Sequence, residues 1–273
     1  GHRGGRRPGR AVGVMNTITS TSNPLVKMWR QLKTPAGRRA HGLFLAEGEH
    51  LCQEALKAGL SPVLLIDQGR AAEYAGLMQP GCELYLVSSR VFAALADSKT
   101  PQGILAVCPL PAPQPLKAAG PRLMALNRLQ DPGNLGTILR TLDAAAFDGL
   151  IIDPGCADPF SPKAVRASMG AVFRVPVYPC ADLAAALQAL PHHTKVAGDL
   201  SGSPYFEHPP FGEKVCLLVG NEGAGLDSEV LALADHRLRL PIPGGAESLN
   251  AAVAAGLMIY DLLLGGFTPQ QRA

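Results

Sequence analysis

The sequence predicts an α/β protein: a mostly parallel sheet with helices on both faces, preceded by a small α+β domain. From residue 122 onward, short apolar runs alternate with helix-like segments, and this alternation is typical of a parallel sheet. In the front part of the chain, strand-like and helix-like segments are mixed without that order. The stretch PLPAPQPLKAAGP at 109–121 separates the two patterns and indicates a semi-rigid linker.

The composition permits a large core and excludes several classes of protein. Hydrophobic residues make up 47% and charged residues 17%, which excludes wholesale disorder. The six cysteines stand singly, so neither a zinc site nor a secreted disulfide scaffold is expected. No apolar run approaches the roughly 20 residues that span a bilayer. The first fourteen residues lack the apolar core of an export signal, so we expect a cytoplasmic protein, and Met15 is one candidate for its native start.

The charge is distributed unevenly along the chain. Residues 1–110 carry 13 Lys and Arg against 7 Asp and Glu, a balance of +6, whereas residues 111–273 carry 12 against 15, a balance of −3. A basic front half favours contact with a polyanion. Four of those basic residues are arginines in the first ten residues, and in a flexible tail they would not indicate a binding surface.

The individual elements follow from apolar periodicity. In the front half, FLAEGEHLCQEALKAG at 44–59 predicts a helix that stops at Gly59. Three strand-like runs follow it, at 62–67, 83–87 and 103–107. In the back half we expect strands at 122–127, 150–153, 175–179, 194–200, 214–220 and 237–243, and helices at 135–147, 162–173, 181–190, 228–234 and 249–264. Ligands of such sheets bind at the carboxyl ends of the strands.

The first candidate segment is NRLQDPGNLGTILRTLDAAAFDG at 127–149. A tight Pro-Gly turn places Asn134 to cap the helix that follows. Arg140 lies away from the apolar face of that helix. The residues of that face, which we expect to pack on the sheet, are Leu135, Ile138, Leu139 and Leu142. Taken alone, the segment is also compatible with an ordinary strand–turn–helix carrying a surface arginine.

The second candidate segment is LLVGNEGAGLDSEV at 217–230. A glycine-rich turn after an apolar strand lets backbone approach a ligand, and the next helix offers free N–H groups. The spacing is GxxGxG, which differs from the GxGxxG of dinucleotide-binding proteins. Glu222 within the turn would repel a pyrophosphate, so the turn favours a ligand with positive charge or hydroxyls. An ordinary connection with a solvated glutamate is the plainer alternative.

The third candidate segment is LPIPGGAESLNAAVAAGLMIYDLL at 240–263. Ser248 and Asn250 begin a helix that is apolar nearly all round, and such a helix is expected to be buried. One sheet cannot cover every face of it, so we predict a homodimer with this helix in the interface. In the plainer interpretation, Ser248 is only the N-cap and Asn250 a polar residue of the first turn.

In this order the three segments resemble the signature motifs of the SpoU (TrmH) RNA methyltransferases of the knotted SPOUT superfamily. The resemblance covers 122–264 and includes PFSPKAVRASMGAVFRVPV at 159–177, while AAAF at 144–147 stands where many relatives have a glycine. The front half resembles the family's ribosomal-protein-like substrate-binding domain. The segments that carry this second resemblance are SNPLVKMWRQL at 22–32, FLAEGEHLCQEAL at 44–56 and DSKTPQGILAV at 97–107.

The resemblance implies transfer of a methyl group from S-adenosylmethionine to a ribose 2′-hydroxyl of RNA, by a metal-free homodimer with a deep trefoil knot. True knots are otherwise nearly absent from proteins. The residues implied in cofactor binding are Leu200, Ser201, Gly220, Asn221, Ile242 and Leu249. Those implied in catalysis are Asn134, Arg140, Glu222, Ser248 and Asn250. Those expected to bind RNA are Arg30, Arg38, Arg39 and Arg166, the last from either the same or the partner subunit.

Two roles for Arg140 stay open. It is the family's proposed base, yet a guanidinium is essentially always protonated. We therefore favour a cationic Arg140 that binds phosphate and stabilises the forming alkoxide. The implied organisation is a basic disordered tail (1–15), an RNA substrate-binding domain (16–110), a linker (111–121) and a methyltransferase domain (122–273).

Three alternatives compete with methylation of ribosomal RNA. The first changes only the substrate, to transfer RNA, and the additional front domain favours ribosomal RNA. The second is a catalytically silent RNA-binding dimer. A protein without catalytic activity would have no chemical need for the combination of Asn134, Arg140, Glu222 and Asn250, so this alternative is disfavoured. The third is a dinucleotide-dependent oxidoreductase, which the glycine spacing and Glu222 disfavour.

Overall fold

The computed structural model describes residues 16–265. The chain divides into two compact units, Gly1–Leu110 and Pro111–Ala273. The tail expected at 1–15 lies outside the described residues. Within the described part of the chain, no helix has both the length and the hydropathy needed to cross a membrane.

The first unit is built on a five-stranded mixed sheet in the order β1-β4-β3-β5-β2. Strands β1, β3 and β4 are parallel, whereas β5 runs antiparallel to both β3 and β2. Its core contains Trp29, Leu65 and Phe92. The elements are β1 Asn16–Ile18, α1 Pro24–Gln31, α2 Pro35–His41, β2 Leu43–Glu47, α3 Glu49–Lys57, β3 Val63–Asp67, β4 Leu84–Val87, α4 Ser89–Leu95 and β5 Ile104–Pro109.

The predicted helix at 44–59 is wrong in its first half. Residues Leu43–Glu47 form β2, and the helix α3 begins only at Glu49. Gly48 separates them with a φ of 106°, a conformation that side chains rarely adopt. Five residues of β2 pair with β5, and this long-range pairing overrides the local helical spacing.

The second unit contains a six-stranded sheet in which every pair is parallel, in the order β11-β9-β10-β6-β7-β8. Its elements are β6 Arg122–Leu126, α5 Pro132–Ala144, β7 Gly149–Ile152, α6 Pro162–Ser168, β8 Val177–Pro179, α7 Leu183–Gln188, β9 Thr194–Pro204, β10 Val215–Val219, α8 Ser228–Leu231, β11 His236–Arg239 and α9 Ala251–Leu264. The predicted α/β class with a parallel sheet is therefore confirmed.

Helices cover both faces of this sheet. Helices α5 and α9 pack on one face, where Leu135, Ile138, Leu139 and Leu142 are fully buried as expected. Helices α7 and α8 contribute Leu187 and Val230 to the core of the other face. The helix expected at 162–173 ends at Ser168, because Met169 and Gly170 both adopt positive φ. A short 3₁₀ turn at Ala171–Phe173 completes that segment.

Candidate active site

A cavity of about 390 Å³ opens at one edge of the parallel sheet. Its walls are the second half of β9, the loop after β10, the segment between β11 and α9, and the first turns of α9. A volume of this size is typical of a small-molecule site. The apolar lining residues include Leu238, Leu240 and Met258, and the acidic ones are Asp199, Glu222 and Glu247.

The loop 220–226 is held in a tight turn by its own polar groups. The backbone N–H groups of Asn221 and Gly225 each donate to the other's carbonyl at 3.0 Å. The Asn221 side chain accepts from the backbone N–H groups of Gly223 and Ala224 at 2.9 and 3.0 Å. A Cβ on Gly220 would lie 2.2 Å from the Gly225 carbonyl carbon, so the turn requires glycine there.

The start of α9 differs from the plainer interpretation of the third segment. Asn250, rather than Ser248, is the N-cap, and its Oδ1 accepts from the backbone N–H groups of Ala252 and Val253. Its Nδ2 donates to Asn134 Oδ1 at 3.0 Å. Asn250 therefore ends one loop and contacts another.

Asn134 is not the helix cap that the sequence predicts. Asp131 caps α5, with its Oδ1 accepting from the backbone N–H of Asn134 at 2.8 Å. Pro132 follows at the first helical position, where a missing N–H costs nothing. Because Asp131 satisfies the backbone, the Asn134 side chain is released to contact Asn250 and Glu222.

Glu222 completes this junction. Its Oε1 accepts from the backbone N–H of Asp131 at 2.9 Å, and its Oε2 accepts from that of Gln130 at 3.3 Å. Partial burial opposes ionisation, but the backbone N–H groups of Asp131, Glu222 and Gln130 and the Asn134 side chain together lower the pKa of the Glu222 carboxyl. A carboxylate at this point thus ties the loop after β6 to the loop after β10.

The other expected catalytic residues, Arg140 and Ser248, take no part in the hydrogen bonds of this junction. Arg140 is exposed on α5, about 9 Å further along the helix axis than Asn134. It makes no hydrogen bond or ion pair with another described residue. Ser248 is exposed and lines the cavity. The structure therefore brings together Asn134, Glu222 and Asn250, and it gives Arg140 no hydrogen bond with them.

Most of the expected cofactor-binding residues line the cavity. These are Leu200, Gly220, Asn221, Ile242 and Leu249. Ser201 is absent from the wall, and its hydroxyl bonds to the Asp199 carboxylate at 3.0 and 3.1 Å. Sequence reasoning missed Asp199 and Glu247, which do line the cavity. The signal for Asp199 was available, since it follows an apolar run at the expected end of a strand.

The expected RNA-binding arginines differ in exposure. Arg30 and Arg39 are exposed on α1 and α2, and Arg166 is half-buried on α6. Arg38 is only 2% exposed, and its Nη1 donates to the Leu32 carbonyl at 2.9 Å. The prediction for Arg38 is therefore wrong, because a guanidinium enclosed in the first unit cannot reach a phosphate.

Possible metal ligands and thiols are scattered among residues 16–265. No group of three or more His, Cys, Asp or Glu side chains there is arranged to hold a metal ion. All six cysteines are free thiols. Burial raises the pKa of Cys108, Cys156 and Cys216 to about 12, which suppresses the reactive thiolate.

Comparison with known proteins identifies both units. A model of the SpoU rRNA methylase family matches residues 121–260, and a model of the MRM3-like substrate-binding domain matches residues 23–106. The chain is 39% identical to the 23S rRNA (guanosine(2553)-2′-O)-methyltransferase RlmP of Bacillus subtilis, over 91% of this chain and 99% of that protein.

Solved structures show the same likeness over nearly the whole chain. An AdoMet-bound rRNA methyltransferase from Sinorhizobium meliloti is 33% identical with a TM-score of 0.81, covering 92% of this chain and 98% of that one. The SpoU methyltransferase AviRb from Streptomyces viridochromogenes, in complex with AdoMet, is 27% identical with a TM-score of 0.79, covering 89% and 98%.

Proposed function

The chain belongs to the SpoU rRNA methylase family, and we propose that it transfers a methyl group from S-adenosylmethionine to a ribose 2′-hydroxyl of ribosomal RNA. The observation that carries this proposal is the hydrogen-bonded junction of Asn134, Glu222 and Asn250 at the rim of the cavity. These three residues come from the three segments that resemble the family motifs. A silent RNA-binding protein would have no need of such a junction.

The cavity fits the cofactor by its chemistry. Leu238, Leu240 and Met258 offer apolar surface to an adenine, and backbone groups of the loop 220–226 are close enough to recognise polar edges. The carboxylates of Asp199 and Glu247 suit hydroxyl and ammonium groups, and they favour a ligand that carries a positive charge. When bound, S-adenosylmethionine supplies an electrophilic methyl group on a sulfonium.

The chain's own residues have to orient the ribose and help its proton leave. Asn134 and Asn250 hold each other, and Glu222 fixes the loop that begins α5. We assign Arg140 a cationic role, in which its guanidinium binds a backbone phosphate of the RNA and stabilises the forming alkoxide. Its exposure and its lack of an ion pair with any described residue support that role.

Replacement of Arg140 tests this assignment. Arg140→Ala should abolish methyl transfer while leaving the calorimetric affinity for S-adenosylhomocysteine within about twofold, because the residue does not line the cavity. Thr137→Ala, another exposed position on the same helix, is the matched control and should leave both unchanged. Equal losses of affinity and activity in Arg140→Ala would show that the residue is structural.

The RNA substrate is ribosomal in this proposal. The similarity to a 23S rRNA methyltransferase over nearly its full length supports this choice over transfer RNA. Mapping 2′-O-methyl groups in a strain that lacks the protein tests it, and the first site to inspect is the guanosine named for RlmP. Loss of a methyl group in transfer RNA alone would overturn the ribosomal assignment. We also propose a cytoplasmic location, which the similarity to a bacterial rRNA methyltransferase supports.

We also propose that the protein is a homodimer through α9. That helix exposes Val253 (52%), Leu257 (36%), Tyr260 (37%) and Leu264 (61%), which recur on one face at helical spacing. An apolar face of this kind is the sort of self-complementary patch that forms a two-fold interface. Met258 and Leu262 of the same helix pack on the core instead, so neither is suitable for testing the interface.

The trefoil knot is part of the same proposal. Its support is family membership and the full-length likeness to SpoU structures. A chain trace in an experimental density map is the test, and the expected result is that the segment leading to α9 passes through a loop of the chain. The arrangement would hold the cavity walls 220–226 and 238–249 together.

A further inference from the structure

A second polar cluster lies outside the cavity, directly after β6. Asn127 is 1% exposed, and its Nδ2 donates to Asp153 Oδ2 at 2.7 Å and to Asp227 Oδ2 at 3.1 Å. Its Oδ1 accepts from the backbone N–H of Asp227 at 2.7 Å. Asp153 is itself 8% exposed. The cluster therefore joins the ends of β6 and β7 to the residue that precedes α8.

Arg128 is the next residue, and its backbone is unusual. Its φ is 53°, in the left-handed region that few residues other than glycine adopt. In that conformation its backbone N–H points to both oxygens of Asp153 at 3.1 Å. Its carbonyl accepts from Asn221 Nδ2 at 2.8 Å. The left-handed turn is thus what aims the Arg128 carbonyl at the loop 220–226.

Asn221 passes this constraint into the cavity wall. Its Nδ2 is fixed by Arg128, and its Oδ1 accepts from Gly223 and Ala224. Asn221, Gly223 and Ala224 all line the cavity. A shift of the Arg128 carbonyl would therefore release the Asn221 side chain and the turn that it shapes.

We propose that Arg128 is a positioning residue for the cofactor loop, acting through its left-handed backbone and the Asn221 side chain. This inference rests on the proposed function. The backbone carries the effect, because the ion pair of Arg128 with Asp227 is 39% and 43% exposed and such pairs stabilise little.

The guanidinium is also poorly placed to bind RNA. Arg128 lines a cavity of about 240 Å³ whose other lining residues include Asp153, Asp182, Asp227 and Glu229. Four acidic groups around one cation repel a phosphate. The charge of Arg128 therefore balances its surroundings, and its removal should leave RNA affinity almost unchanged.

A graded series at this position separates backbone from charge. Arg128→Gly, Arg128→Ala and Arg128→Val all remove the guanidinium, but they differ in how readily they adopt positive φ. We expect the calorimetric Kd for S-adenosylhomocysteine to stay within about twofold in the glycine variant. It should rise in the alanine variant and reach about tenfold in the valine variant. In methyl transfer, KM for S-adenosylmethionine should follow the same order while KM for RNA stays level.

The outcomes distinguish this inference from the function on which it rests. Equal Kd values across the series, or a glycine variant as weak as the valine variant, would overturn the positioning role alone. A wild-type protein that does not bind S-adenosylhomocysteine would overturn the proposed function and this inference with it. Thermal unfolding is recorded for each variant, and if the valine protein does not fold, the alanine and glycine pair decides.

Discussion

Glu222 acts as a link between loops at the scale of a single residue. Glu222→Gln keeps the shape of the side chain but removes the charge that accepts from the Gln130 and Asp131 backbone. Charge-assisted hydrogen bonds are about twice as strong as neutral ones. We expect kcat to fall at least tenfold, with lowered affinity for S-adenosylhomocysteine. Glu229→Gln, an exposed position on α8, is the control and should behave as wild type.

The acid dependence of stability follows from the same carboxylate. The folded-state pKa of Glu222 is lowered below its ordinary value of 4.5, so its contribution is complete above that value. It is lost as pH falls through the lowered pKa. The difference in unfolding free energy between wild type and Glu222→Gln should therefore be constant near pH 7 and shrink in acid. A difference that grows in acid would contradict the lowered pKa.

Sequence reasoning identified residue types better than contacts. The sequence DPGN contains two residues that favour the N-cap position, Asp131 and Asn134. No local feature of the sequence shows that Asp131 is the N-cap, which leaves the Asn134 side chain available for other contacts. The bond between Asn134 and Asn250 joins residues 116 apart, so no window of sequence predicts it. Arg38 was misjudged because a buried arginine and a surface arginine look alike until their neighbours are known.

At the scale of elements, a buried pair fixes α9 to the segment after β9. His208 Nε2 lies 2.7 Å from Asp261 Oδ2, with the two side chains 10% and 1% exposed. His208 also stacks on Phe211 with ring centroids 3.9 Å apart. His208→Ala removes one hydrogen-bond partner of a buried carboxylate together with a stacked ring, so we expect a loss of about 3 kcal/mol in unfolding free energy. Chemical denaturation measures it.

The control for that change is another histidine of the same unit. His192 is exposed, so His192→Ala should alter the unfolding free energy by no more than about 0.5 kcal/mol. Equal effects of the two substitutions would mean that the His208–Asp261 contact contributes nothing specific.

Helix α9 provides a test of the proposed dimer, because two adjacent residues of the helix differ in exposure, one facing solvent and the other facing the core. Leu257 is 36% exposed, whereas Met258 is 1% exposed and belongs to the core. Leu257→Glu should give a folded monomer, since it places charge on the proposed interface without disturbing the core. Met258→Glu should lower the Tm strongly instead, because a carboxylate in the core is poorly solvated. Light scattering and thermal unfolding together separate these results.

The dimer proposal fails under either of two outcomes. One is a wild-type protein that is monomeric and fully active at micromolar concentration. The other is a Leu257→Glu protein that remains dimeric, which would place the interface elsewhere.

The strands predicted at 62–67, 83–87 and 103–107 agree with the structure within two residues, whereas the predictions at 44–59, 162–173 and 237–243 miss a boundary. A parallel sheet buries whole strands, so its apolar runs are distinct from the helices between them. The segment at 44–59 contains a strand and a helix whose apolar residues happen to continue one spacing, so only the partner strand β5 separates them. The strand order β11-β9-β10-β6-β7-β8 depends on pairings that no local pattern encodes.

At the scale of the whole molecule, the two units should divide the work of binding and catalysis. If Arg30 and Arg39 each contact one phosphate, replacing both with alanine should reduce the slope of log K against log salt by about 1.4 to 1.8. Lys214→Ala with Arg239→Ala removes the same charge from exposed positions of the second unit and is the matched control. Equal reductions in the two double variants would refute the division, and filter binding to ribosomal RNA fragments measures both.

The hydrogen bond between Asn134 and Asn250 can form only late in the synthesis of the chain. The two residues are 116 positions apart, and ribosomes add roughly 5 to 20 residues per second. About 6 to 23 s therefore pass between the synthesis of Asn134 and the synthesis of Asn250. Strand β6 spends most of this interval without its neighbour β10, with one row of backbone N–H and C=O groups open to other chains. The time for which this strand edge stays unpaired is therefore set by the rate at which the ribosome completes the chain.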